Sequence, residues 1–294
     1  MITNGKDKVK LGVIIGNRDF FPDALITEGR AEVLGVLNEL GIDYVVLDEQ
    51  TTPFGAVETW EHAKACAALF RKHADEIAGI LVSLPNFGDE KAVAETIKLS
   101  GLRVPILVQA FPDDLDKFNV ERRRDAFCGK ISVCNNLYQY GFPFSVTELH
   151  TVRPNTEAFK ADLRKFAAVC RVVKFLPNAR LGAIGARPNN FNTTRYSEKL
   201  LQAFGISVQS VDLSTILGKA ARLDDNAPAV KEKLESIRAY VPTTGVPSPA
   251  LVKQAKLGVV IDEWMTDLDI DATALQCWDS LQHNYGINAC TLMS

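Results

Sequence analysis

Between Arg187 and Arg195 the sequence places two guanidinium groups, the amides of Asn189, Asn190 and Asn192, and the hydroxyls of Thr193 and Thr194, all within nine residues. Guanidinium forks and neutral hydrogen-bonding groups at this density suit a sugar or an anion. Turn chemistry is the competing explanation. Asn and Thr also serve as turn and cap residues, and the two arginines could pair with surface carboxylates. Both readings stand at the level of sequence. A second set of polar residues recurs at the ends of apolar runs: Asn17 and Arg18, Asn86, Gln109 and Asp113, and Asn135 and Asn136.

The elements that position these groups follow from hydrophobic period. Residues 181–184 form a short apolar strand, and residues 195–204 have the pattern of a helix that Gly205 stops. Residues 206–211 alternate as a further strand, with Asp212 or Ser214 able to cap the next helix. The loop therefore lies at the C-terminal end of a strand in a βαβ unit.

The N-terminal half repeats that unit. Strands are predicted at 9–15, 42–47, 77–82, 105–108 and 130–134, and helices between them are carried by apolar positions such as Leu25, Val33, Leu34, Leu37 and Leu40 and by the run 60–71. Strands alternating with helices imply a doubly wound parallel sheet, α/β in class, with right-handed crossovers. In such a sheet all strand C-termini share one edge, so the polar residues named above would line one crevice. No G-x-G-x-x-G follows the first strand and no Walker A sequence occurs, which excludes a dinucleotide or ATP site of those kinds.

Length and composition set the frame. The 294 residues are 47% apolar with a net charge of −3, enough for two globular domains and without the basic excess of a nucleic-acid partner. The run from Glu121 to Asp125 reads as a solvated helix face. Six scattered cysteines show no CxxC spacing and no disulfide or zinc framework. No apolar segment nears the roughly 20 residues that span a bilayer, and the N-terminus lacks the form of a signal peptide. A soluble cytoplasmic protein is the expectation.

Prolines and polar residues at 143–159 mark a boundary, giving an N-terminal domain over 1–150 and a second α/β domain over 151–285. That second domain would contain a helix at 156–175, an amphipathic helix at 251–264 and a strand at 271–277. Residues 286–294 read as a strand start with nothing to pair it. The natural chain is therefore expected to continue into a third domain.

Three stretches, IGARPNNFNTTRYSEKLLQAFGISVQSVDLS, GKISVCNNLYQYG and DIDATALQCWDSLQHNYGINACTLMS, resemble the L-fucose isomerase and L-arabinose isomerase superfamily, in particular its fucose-isomerase-like members. The likeness covers essentially the whole chain. It implies two Rossmann-like or flavodoxin-like domains, the first two of three, in an enzyme that interconverts aldoses and ketoses with a divalent metal, usually Mn²⁺. A carboxylate would move a proton between C1 and C2 while the metal stabilises the enediolate. The family's metal ligands and catalytic acids lie in its C-terminal segment, so the resemblance places none in this chain. The four histidines, His62, His73, His150 and His283, have no ligand-like spacing with carboxylates.

The resemblance further implies that this chain contributes monosaccharide binding within a homo-oligomer, hexameric or similar, since in the family the N-terminal domain of one subunit closes a neighbour's site. Arg18 matches by position the basic residue used there. Arg18, Asn86, Asn135 and Asn136 are the expected substrate contacts, with Gln276 and Trp278 next. Arg187, Asn190 and Arg195 would hold either substrate or a domain interface. A metal-independent sugar-binding or sugar-sensing module is the alternative.

Overall fold

A computed structural model describes residues 8–120 and 122–293; the first seven residues, Glu121 of the arginine run and Ser294 lie outside it. The chain divides into two compact units, residues 1–174 and 175–294.

The first unit is a five-stranded parallel sheet in the order β2-β1-β3-β4-β5. Its strands are β1 (Lys10–Ile15), β2 (Asp43–Val46), β3 (Ile77–Leu84), β4 (Ile106–Ala110) and β5 (Ser145–Val146). Every residue of β3 is buried, because a central parallel strand is covered on both faces. One face packs against α2 (Trp60–Lys72), α3 (Glu90–Ser100) and α4 (Ala126–Gln139), with Cys66, Phe70, Val93, Ile97, Val133 and Leu137 in the core. The other carries α1 (Ala24–Glu39) and α5 (Glu157–Phe175), which contribute Ile26, Val33, Leu37, Phe159, Leu163 and Phe166.

Two sequence expectations are corrected here. The strand predicted over 130–134 lies inside α4. Ala126, Lys130, Val133 and Leu137 recur at helical spacing and face inward, while the run Ile131-Ser-Val-Cys134 mimics a strand when read alone. The fifth strand is instead the two exposed residues Ser145 and Val146 at the sheet edge. Lys130 ties this return segment to α4, its buried ammonium donating to Thr147 Oγ1 (2.7 Å) and the His150 carbonyl (2.9 Å). The division between units also falls at 174/175 rather than near 150, since Phe159, Leu163, Phe166 and Cys170 of α5 complete the first core.

The second unit is a three-stranded parallel sheet in the order β7-β6-β8. Here β6 is Arg180–Ile184, β7 is Ser207–Val211 and β8 is Ala272–Leu275, the last in the place expected of it. The helices are α6 (Glu198–Ala203), α7 (Leu213–Arg222), α8 (Pro228–Tyr240) and α9 (Ser248–Asp267). Ile184 packs with Leu213, Ile216, Leu257, Val260, Ile261 and Trp264 in its core. The helix predicted from Arg195 begins later: a 3₁₀ turn at Asn192–Thr194 comes first, and Ser197 caps α6 by accepting from the Leu200 N–H. Residues 286–293 do not start a strand. Ile287 and Ala289 are buried in this same core, and Cys290–Leu292 make a 3₁₀ turn.

Candidate functional site

In the first unit the chain leaves β1 toward β2 on one side and β3 on the other, so the crevice opens between the ends of β1 and β3. The residues there form a continuous polar chain. Asn86, fully buried, donates through Nδ2 to Asn17 Oδ1 (2.8 Å) and accepts from the Gly88 N–H (3.0 Å). Asn17 donates in turn to Glu58 Oε2 (3.1 Å). Glu58 Oε1 and, one turn into α2, His62 Nδ1 are sheltered from solvent without a partner. Burial, and then the charge of Asp19, raise the pKa of Glu58 above the usual carboxylate range.

Arg18 projects from the same edge. Its Nε donates to the Gly88 carbonyl (2.9 Å), its Nη2 pairs with Glu90 and stands 3.9 Å from Asp89, and its guanidinium lies 4.7 Å over the Phe87 ring. The group is held at a fixed angle and is 35% exposed. Arg18 and Asn86 are thus brought together, with Asn86 acting as an internal brace.

Asn135 and Asn136 are not. Their expected place at a strand end disappears with the strand: both sit nine or ten residues into α4, roughly 14 Å along the helix from its start. Asn135 is exposed and Asn136 half-buried, its Oδ1 without a partner.

The arginine run also departs from the solvated helix face. It is irregular chain, and Arg124 is only 2% exposed. Its Nη1 donates to the Pro85 carbonyl (2.9 Å) and its guanidinium lies 5.2 Å over the Phe111 ring. Burial lowers its pKa. Asp113 Oδ1 accepts the backbone N–H of Arg124 (2.7 Å), and Gln109 is consumed between Ser83 Oγ (2.6 Å) and the Val152 carbonyl (2.7 Å). Glu58, His62 and Arg124 are residues that sequence reasoning did not place in the crevice. Only Arg124 left a trace, a basic run just after a polar strand end.

The second unit has its own cleft. The chain passes from β6 to β7 on one side and returns to β8 on the other, so the switch point lies between β6 and β8. Gln276, at the end of β8, staples that edge: Oε1 accepts from the Ala186 N–H (3.0 Å) and Nε2 donates to the Trp278 carbonyl (3.3 Å). Gly185 makes the approach possible. With φ at +79°, it would carry a Cβ 2.5 Å from Gln276 Oε1.

Above this edge lies a cleft of about 550 Å³. Ser210, Ala183 and Ala274 stand in register across β7, β6 and β8 and line it with small side chains. Phe191, Tyr196 and Trp278 are aromatic walls, with Phe191 and Trp278 edge-to-face at 5.3 Å and Trp278 51% exposed. Arg187 is the one charged side chain among the lining residues. Its Nη1 donates to the carbonyls of Pro188 and Asn189, both at 3.0 Å. Asn190 and Arg195 are exposed on the loop outside that lining, Arg195 Nε donating to the Asn192 carbonyl (3.2 Å). Turn chemistry accounts for part of this loop, but neither arginine has a carboxylate within 4.0 Å among the described residues. An adjoining groove, about 480 Å³, carries Asp212, whose pKa is lowered by its hydrogen bonds to Ser214 at the cap of α7.

Among the described residues no group of three or more His, Cys, Asp or Glu is placed to hold a metal. His73 binds Glu76 (2.8 Å), and the His150 ring leans on Phe127 at 5.5 Å. The donor set therefore does not fit a metal centre.

A family model described as "Fucose/sulfoquinovose isomerase, N-terminal domain" matches residues 12–177. Two proteins named sulfoquinovose isomerase, from Priestia aryabhattai and from Priestia megaterium (strain ATCC 12872 / QMB1551), are each 22% identical over 173 residues, 58% of this chain. The match spans 38% of the length of those curated relatives.

Proposed function

Because the chain belongs to the fucose/sulfoquinovose isomerase family, we propose that the complete protein interconverts an aldose and a ketose, with this chain contributing surfaces that bind the sugar. The observation that carries the assignment of roles is the second-unit cleft, in which aromatic walls, a stapled strand edge and a cation surround a space suited to a ring-sized polar ligand. Moving a proton between C1 and C2 demands a general base and stabilisation of the enediolate. The described residues supply no metal-holding group of acids. We therefore assign them binding and orientation. A divalent ion, manganese by preference, is a requirement we ascribe to the complete protein, with ligands outside these residues.

In the same reading the protein is a cytoplasmic homo-oligomer, hexameric or similar, and Arg18 reaches the site of a neighbouring copy. Its support is the fixed, one-third-exposed guanidinium at the β1 end. No helix among the described residues is long and apolar enough to cross a membrane.

The test uses the natural full-length polypeptide. Incubated in D₂O with L-fucose or sulfoquinovose, the protein should form the ketose with deuterium at C1 and return deuterium to C2 of the recovered aldose; chelation should abolish both, and Mn²⁺ restore them. Turnover that survives chelation would remove the metal-dependent mechanism. Sugar binding without turnover by metal-loaded protein would establish the sugar-sensing alternative.

A further inference from the structure

The open edge of the first unit's sheet adjoins a helix flank without charge. β5 pairs with β4 on one side and has no strand on the other among the described residues. α4 lies beside it, and its contacts fix which flank faces that edge. Gly129 stands against the Phe87 backbone on one flank. On the other, Lys130 reaches Thr147 and His150, and the Phe127 ring meets the His150 ring at 5.5 Å. At about 100° per residue, Phe127, Ile131, Cys134 and Tyr138 fall within about 60° of one another on this second flank.

That stripe is exposed and apolar. Phe127 is 42%, Ile131 57% and Tyr138 78% exposed, and Val146 of β5 and Leu149 just after it continue the patch. Lys130, the only charged residue of α4, is buried. The other helices of this unit, α1, α2, α3 and α5, all expose charges, Glu28, Lys64, Lys91 and Arg164 among them. A solvated helix face normally carries such groups, and an open sheet edge is normally guarded by them. Loss of charge together with exposed aromatic rings is the composition of an interface core.

Resting on the homo-oligomer reading above, we infer that this flank is a twofold contact between two copies of this chain, α4 against α4 with the two β5 edges side by side. An uncharged stripe suits a second copy. A twofold axis presents the same patch from both sides, so a charge near the axis would meet its own kind. The size of the surface is sufficient. The five exposed apolar side chains offer roughly 600 Å², and with Asn135, Cys128 and Gln139 about 800 Å², which is what each partner of a stable complex buries.

The experiment is sedimentation velocity of the 294-residue chain in a dilution series from about 100 µM, with the natural full-length polypeptide alongside. The wild-type chain should associate, and Ile131→Glu and Tyr138→Glu should each weaken association by about tenfold or more with an unchanged melting temperature. Ala68→Glu, on the exposed face of α2, is the control and should change nothing. Mixing Ile131→Glu with Ile131→Lys should recover association that neither variant shows alone, because the twofold brings the opposite charges together; no recovery would overturn the twofold contact. A chain that stays monomeric throughout the series would overturn it too. Association that the α4 substitutions leave intact would overturn this surface while keeping the homo-oligomer reading, with its contact elsewhere. In the full-length protein the same substitutions should lower the mass of the assembly. An effect confined to the 294-residue chain would mean that the rest of the polypeptide covers this flank, which also overturns the proposal. A monomeric full-length wild type would sink the homo-oligomer reading itself.

Discussion

Replacing Gly129 by alanine tests how tightly α4 is seated on the crevice of the first unit. A Cβ built at Gly129 would lie 1.8 Å from the Phe87 carbonyl oxygen, 2.5 Å from its carbon and 2.7 Å from its Cα. All three obstructing atoms are backbone, so no rotamer change relieves the clash. Carbon and oxygen in contact need about 3.3 Å, so helix and loop must separate by roughly 1.5 Å. Overpacking of this kind costs about 1–3 kcal/mol, and the backbone on both sides points to the upper end. For a unit of this size about 3 kcal/mol corresponds to a fall of roughly 6–12 °C in melting temperature. The damage is also local, since Phe87 is the platform under Arg18 and adjoins Asn86. Gly35, exposed on α1 with nothing within 4 Å of its Cβ position, is the control. Gly35→Ala should stabilise by about 0.5–1 kcal/mol, because alanine loses less backbone entropy in a helix. Thermal melts of the 294-residue chain followed by circular dichroism decide the matter. A Gly129→Ala protein that melts with the wild type, while Gly35→Ala melts higher, would show that α4 is not seated on Phe87 as described.

Two further substitutions probe the charged groups of that crevice. Arg124→Met preserves volume but deletes the charged donor to the Pro85 carbonyl, leaving that oxygen unpaired; a loss of about 1–3 kcal/mol is expected from urea unfolding, and a raised midpoint would mean that burying the guanidinium costs more than its bond returns. Glu58 has a folded-state pKa above its unfolded value, so its contribution to stability is present in full below the unfolded pKa and is lost as pH rises through the raised one. The melting temperature of Glu58→Gln minus that of the wild type should therefore be larger near pH ~8 than near pH ~4. A difference that stays constant across that range would place Glu58 in solvent.

Much of the fold was legible in the residues. The β3 run, buried throughout, and the Gly and Asn punctuation after β1 and β3 announce parallel strands with polar C-terminal ends, and Asn17, Arg18 and Asn86 do meet at one edge. The failures are instructive. Ile131 to Cys134 alternate as a strand would, and only the packing of Val133 and Leu137 against the sheet selects the helix. The position of Arg124 was out of reach for a different reason. Nothing local separates a buried arginine from a solvated one; the difference lies in Pro85 and Phe111, which the chain brings from 39 and 13 residues away.

Period and punctuation are local quantities, and from them the sequence by itself determined the α/β class, the strand ends that carry polar groups, and the loop from Arg187 to Arg195 as the most ligand-like stretch. Tertiary structure alone decided which of those groups are consumed and which are free. Gln276 and Asn86 are spent on bracing backbone, whereas the Nε/Nη2 edge of Arg187 has no hydrogen-bond partner among the described residues. That distinction depends on distances between residues far apart in the chain, and a hydrogen-bond donor is defined as free only by what stands within about 3 Å of it.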